Sequence, residues 1–171
     1  PVLASLPMGS DGERTRDDYF LVGIGEKYTT IQDAIDNATM GEGQVIVVSS
    51  GEYHENLVID KDVRLIGGYP DGPIINGMNR GDVILINTSY CYIDGFNVTG
   101  NASNASDPLS NNWSGIRFNE DLDHTSEIKN CEIKDHSYAG IDIQNGRNMT
   151  VENCNISAFR YGINIQETVY T

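Results

Sequence analysis

Apolar and polar residues alternate along most of this chain, and the alternating segments themselves recur. Gly115-Ile116-Arg117-Phe118, Gly140-Ile141-Asp142-Ile143 and Gly162-Ile163-Asn164-Ile165 share one pattern. Between them, Ile128-Lys129-Asn130-Cys131-Glu132-Ile133 returns 23 residues later as Val151-Glu152-Asn153-Cys154-Asn155-Ile156, so the unit repeats every 22 to 25 residues. A period of this size with strand-like alternation inside it predicts stacked coils of short strands. One coil cannot bury its own apolar face. Coils stacked about 4.8 Å apart, as in any parallel sheet, pool those faces into one interior.

The same alternation reads outward from the repeat. Tyr19-Phe20-Leu21-Val22 is a strand closed by Gly23 and Gly25. Thr29 or Thr30 then caps a helix in which Ile31, Ala34, Ile35 and Ala38 share a face, and Gly41 and Gly43 stop it. A single amphipathic helix ahead of a coil stack is expected to cover the apolar cross-section of the first coil. Val45-Ile46-Val47-Val48, Leu57-Val58-Ile59, Val63-Arg64-Leu65-Ile66, Pro73-Ile74-Ile75 and Val83-Ile84-Leu85-Ile86 follow as strands separated by Gly, Asp or Asn. Ile93-Asp94-Gly95-Phe96-Asn97-Val98 matches the Ile128 and Val151 segments position by position. Ile93, Ile128 and Val151 are therefore expected in one interior column, with Phe96, Cys131 and Cys154 in another. Three regions result: an irregular arm over 1–18, a strand and capping helix over 19–43, and coils over 44–171 with a loop inserted at 100–113.

Composition narrows the partners. The formal net charge of -14 argues against the Lys/Arg surface that nucleic acid or an anionic membrane requires. No apolar run reaches the 18 or so residues of a membrane span. Three cysteines without CxxC spacing form no disulfide framework and indicate neither zinc nor haem. Cys131 and Cys154 should point inward as small apolar fillers, where a disulfide between coils demands specific geometry. His54, His124 and His136 are too scattered for a metal triad and are read as surface or turn residues. Pro1 to Leu6 reads either as the tail of an export signal or as a frayed terminus.

Asparagine changes the picture. Asn37, Asn87, Asn97, Asn101, Asn104, Asn112, Asn148 and Asn155 each open an Asn-x-Ser/Thr sequon. With 17 Asn and 22 Ser plus Thr, chance would give roughly two. Turn chemistry accounts for Asn148 and Asn155 but not for Asn97, Asn101, Asn104 and Asn112. The excess predicts an exported, N-glycosylated extracellular or cell-surface protein, with glycans above all on the inserted loop.

Tyr28 to Ile35 (YTTIQDAI), Gly51 to Asp60 (GEYHENLVID) and Leu65 to Gly68 (LIGG) resemble the opening of pectin-lyase-like parallel β-helix proteins, pectin methylesterases among them. The later coils resemble the carbohydrate-binding and sugar-hydrolysis type of β-helix repeat of archaeal and bacterial cell-surface proteins. The resemblance covers Tyr28 to about Gln166. It implies an all-β fold: a right-handed single-stranded parallel β-helix with a short N-terminal capping α-helix. Activity does not carry over, because beyond Gly68 the paired acidic residues and Gln of a methylesterase are not found in their local motifs. The paired aspartates with Gly-His-Gly of a polygalacturonase are missing as well. The nearest approach to a lyase set of calcium carboxylates and a basic arginine is Asp135, His136 and Asp142 with Arg147 or Arg160. Glu120, Asp121 and Asp123 are a second calcium candidate. Trp113 and the tyrosines Tyr90, Tyr92, Tyr138 and Tyr161 are candidates for stacking against sugar rings.

Three functions compete on these residues: a structural surface β-helix, a polysaccharide-binding module, and a lyase or esterase. Sequon density and the missing motifs favour the first. After Gln166 too few residues follow to cover an apolar cross-section. The chain is thus expected to be either a section of a longer stack or a subunit capped by another copy, assembling head to tail into a filament, sheath or surface layer.

Overall fold

Each turn of the chain lays down three short strands, one in each of three parallel sheets. The computed structural model describes residues 19–41, 43–68, 72–100, 112–119 and 125–166. Strand β1 (Tyr19–Val22) precedes helix α1 (Ile31–Asn37). Then come β2 (Gln44–Val48), β3 (Glu52–Tyr53) and β4 (Leu57–Ile59), followed by β5 (Val63–Gly67), β6 (Ile74–Asn76) and β7 (Ile84–Ile86). The third turn is β8 (Cys91–Asp94), β9 (Asn97–Thr99) and β10 (Ile116–Phe118). The fourth is β11 (Glu127–Lys129), β12 (Glu132–Ile133) and β13 (Ala139–Gln144), and the fifth β14 (Thr150–Glu152), β15 (Asn155–Ile156) and β16 (Tyr161–Gln166). The sheets run β1-β2-β5-β8-β11-β14, β3-β6-β9-β12-β15 and β4-β7-β10-β13-β16, so each strand pairs with its counterpart one turn away. This is a parallel β-helix. The arm over 1–18 and most of the inserted loop lie outside the described residues.

The register follows the apolar alternation. Ile46, Leu65, Ile93, Ile128 and Val151 form one inner column. Leu57, Ile84, Ile116, Ile141 and Ile163 form another, and Ile75, Val98, Ile133 and Ile156 a third. All three feed one apolar core. A one-residue slip would turn each column to solvent, which is why the repeat fixes the pairing.

Corners are made by residues that tolerate left-handed backbone. Gly95, Asn130 and Asn153 stand at one corner on successive turns with φ of 80°, 51° and 54°. Asparagine adopts this conformation at low cost because its short amide bonds locally. Here the amides bond along the stack: Asn130 Nδ2 donates to Asp94 Oδ1 at 2.7 Å and Asn153 Nδ2 to Asn130 Oδ1 at 3.4 Å. The next residues, Phe96, Cys131 and Cys154, turn inward onto the core as the repeat requires.

The glycines of the Gly-Ile-x-Ile pattern answer to packing. A Cβ on Gly115 would sit 2.7 Å from the Gly140 carbonyl oxygen and 2.7 Å from His136 Nε2, and one on Gly140 would sit 2.3 Å from Ile156 Cγ2. His136 fills that corner. It is 2% exposed, correcting its reading as a surface or turn residue. Its Nε2 lies 3.1 Å from the Val98 carbonyl oxygen.

Helix α1 covers the first turn with Ile31, Ala34 and Ile35, all fully buried. Its ends are satisfied largely by the coil beneath. Glu55 accepts from the Ile31 and Gln32 amides, both at 2.9 Å, while Thr30 caps Asp33. Lys61 Nζ donates to the Ile35 and Asp36 carbonyls at 3.2 and 2.6 Å. The Gln32 side chain brackets the edge strand β4, donating to the Val58 carbonyl at 3.1 Å and accepting its amide at 2.9 Å.

Candidate functional site

The outer face of the sheet β4-β7-β10-β13-β16 carries most of the polar chemistry. Because side chains alternate across a strand, the residues between the two inner columns point outward. Successive strands place Val58, Leu85, Arg117, Asp142 and Asn164 in one outer column. Arg117 Nε lies 3.1 Å from Asp82 Oδ2 and 3.4 Å from Asp142 Oδ2. Its terminal nitrogen donates to the Asn112 carbonyl. Asp142 Oδ1 accepts from Asn164 Nδ2 at 2.7 Å and from Gln144 Nε2 at 3.0 Å. Asp82 Oδ1 accepts from the Ser114 amide at 2.6 Å. Burial pushes the Asp82 carboxyl above its ordinary range, against the opposing pull of that amide and of Arg117.

Beside this network runs an aromatic ladder. The Tyr138 amide donates to the Trp113 carbonyl at 3.0 Å and the Tyr161 amide to the Tyr138 carbonyl at 2.9 Å, so the three residues follow one another on successive turns. Tyr138 and Tyr161 meet edge to face at 5.5 Å. Arg160 lies over the Tyr138 ring at 5.6 Å and Arg117 at 6.0 Å, while Asn164 Nδ2 donates to the Tyr138 hydroxyl at 3.4 Å. Aromatic faces beside guanidinium, carboxylate and amide groups are the chemistry that binds polyhydroxylated rings. Tyr92 is elsewhere: it stacks on Arg64 at 4.1 Å on the first sheet and donates to Asp94.

The carboxylates and the histidine of the lyase-like set have other partners. Asp142 is committed to Arg117, Asp135 accepts from Thr99 at 3.2 Å, and buried His136 is held neutral, its pKa lowered to about 4 by desolvation. Among the described residues no cluster of three metal-ligating side chains occurs, and Glu120, Asp121, Asp123 and His124 lie outside them. The pairing of Arg117 with Asp142 went unread in the sequence, yet a signal was present. Both occupy the third place of the Gly-Ile-x-Ile repeat, so a stack must juxtapose them.

The sequons fall into groups. Asn112, Asn148 and Asn155 are exposed. Asn37 is exposed on α1, with its Nδ2 donating to the Asp33 carbonyl at 2.8 Å. Asn87 accepts from Asn119 Nδ2 at 2.9 Å, and Asn97 donates to the Gly72 carbonyl at 3.4 Å; both are half-buried. Asn101 and Asn104 lie outside the described residues.

No family model matches the chain. A 74-residue segment, 43% of the chain, is 32% identical to a protein of Methanothermus fervidus named Cell surface glycoprotein and spans 12% of that protein's length. Solved structures similar to it include the pectin methylesterase of Aspergillus niger in deglycosylated form. There the TM-score is 0.46 at 17% identity, over 86% of this chain and 46% of that one. The same enzyme retaining an N-acetylglucosamine stub gives a TM-score of 0.43 at 16% identity, over 85% and 68%. Pectin methylesterases are among the β-helix proteins that the opening of this sequence resembles. In the described residues no helix is long and apolar enough to cross a membrane.

Proposed function

We propose that the chain is part of an N-glycosylated cell-surface β-helix protein with a structural role. The observation that carries this reading is the 32% identity to a protein named Cell surface glycoprotein. Eight sequons, against the roughly two expected by chance, support the glycosylated part of it. Exposed Asn37, Asn112, Asn148 and Asn155, together with Asn101 and Asn104, are the acceptors. Asn87 and Asn97, engaged by neighbouring turns, are modified less. Peptide mapping of protein from its natural source tests this: glycans on the first group support it, and bare asparagines throughout overturn it.

Assembly with further copies is the finer part of the proposal. Strand β16 brings the inner columns to the surface, with Ile163 43% and Ile165 70% exposed, and Phe159 just ahead of it in sequence is exposed as well. A second copy that continues the stack would cover them and propagate head to tail. Sedimentation of the unsubstituted chain and of Ile165→Glu decides the matter. Polymers lost on substitution support a copy as the occupant, and a monomer at all concentrations overturns it.

The aromatic ladder favours a second reading, a polysaccharide-binding surface around Trp113, Tyr138 and Tyr161. Calorimetry with acidic and neutral polysaccharides should give binding that Tyr161→Ala weakens. Heats absent for both classes would remove this reading without touching the first.

A further inference from the structure

The inner column Phe96, Cys131 and Cys154 ends in two thiols on consecutive turns. Strand pairing fixes them from both sides, Ile128 opposite Val151 before them and Glu132 opposite Asn155 after them. The Asn155 amide donates to the Cys131 carbonyl at 2.9 Å, so the two backbones are in ladder contact at the cysteines themselves. Neighbouring strands lie about 4.8 Å apart, within the roughly 4.4 to 6.8 Å that separates the Cα atoms of disulfide-linked cysteines. Both side chains turn to the same interior, where the Cys131 thiol donates to the Lys129 carbonyl at 3.1 Å and the Cys154 thiol to the Glu152 carbonyl at 3.3 Å. Both remain thiols here, as does Cys91.

We propose that Cys131 and Cys154 form an oxidisable pair that closes into a disulfide between consecutive turns when the protein meets a small-molecule disulfide. The two sulfurs are unequal in the way the exchange requires. The interaction between the two side chains draws the Cys154 thiol down to about 6 and, together with burial, pushes Cys131 well above its ordinary value. Cys154 is half-buried and Cys131 buried, so Cys154 is the nucleophile and Cys131 the resolving thiol. The Cys154 thiolate attacks one sulfur of the small disulfide, whose S–S bond breaks and releases one small thiol. Cys131 then gives up its proton and attacks Cys154 Sγ, forming the Sγ–Sγ bond and releasing the second small thiol. Two protein sulfurs are oxidised and one small disulfide is reduced to two thiols. Cys91 takes no part: it is fully buried on β8, and burial pushes its thiol far above the usual range.

The inference is independent of glycosylation and assembly. Its test is equilibration of the purified chain with excess oxidised glutathione, followed by acid quench, alkylation and mass analysis without reduction. The expected product has lost two hydrogens, yields one cross-linked peptide pair containing Cys131 and Cys154, and has a single alkylated thiol at Cys91. In Cys131→Ala a stable glutathione adduct should collect on Cys154. Three alkylated thiols in the unsubstituted chain, or a persistent glutathione adduct on its Cys154, would overturn the proposal.

Discussion

Strand β10 has two faces, and they are built on different rules. Inward, Ile116 and Phe118 are fully buried and continue columns that are apolar at every level. Outward, Arg117 stands in a column running from Val58 and Leu85 through a cation to Asp142 and Asn164. The inner face repeats because every turn has the same task, excluding water from a shared core. The outer face is free of that task, and its residues answer to one another across turns. The inner columns therefore make this molecule a β-helix, and the outer column makes it this particular one.

Breaking the inner side should have the largest effect. Phe118→Ala is expected to cost about 3 to 5 kcal/mol in denaturant unfolding, since the cavity lies between turns that cannot collapse independently. His136 comes next. Its folded-state pKa is lowered from 6.5 to about 4, so its contribution is complete above 6.5. As pH falls the unfolded chain binds the proton first, and about 3 kcal/mol is lost by the time pH reaches that lower value. His136→Gln should flatten this part of the stability profile, and an unchanged slope would assign the acid loss to carboxylates.

The outer side responds through its partners. Arg117→Met strands the carboxylates of Asp82 and Asp142 and should cost about 2 to 3 kcal/mol, below the full buried-pair penalty because the guanidinium is 29% exposed. Adding Asp142→Asn should recover part of that loss, and strict additivity would show that the two residues act separately. Val58→Thr, at the apolar and exposed end of the same column, should change stability by less than about 0.5 kcal/mol.

The sequence made the inner rule legible and left the outer one mostly hidden. Ile128 and Val151 announce their register because the repeated segments preserve polar and apolar places together. His136 gave no such sign: its burial depends on the space above Gly115, a contact between turns that periodicity does not encode. The Arg117 network shows the same limit. Asp142 shares the repeat position of Arg117 and follows from the register, but Asp82 comes from the segment ahead of β7, and charge along the chain does not mark it as a partner. Trp113, Tyr138 and Tyr161 were candidates in the sequence on the chemistry of aromatic faces, not on position. Tyr92, inside a strand, took another role.

Helix α1 sets an order of events for folding. Seven residues are too few to hold a helix in water, where nucleation alone is unfavourable by a factor of about a thousand. Its first two amides, its last carbonyls and the Gln32 side chain all bond to groups more than twenty positions away, on or beside β4. Those partners exist in the right places once the first turn has closed, so the cap is a late event, templated by the surface it covers. Glu55→Ala should accordingly raise amide hydrogen exchange in α1 while leaving β5 to β13 protected. A uniform rise across the stack would mean that the cap and the coils form together.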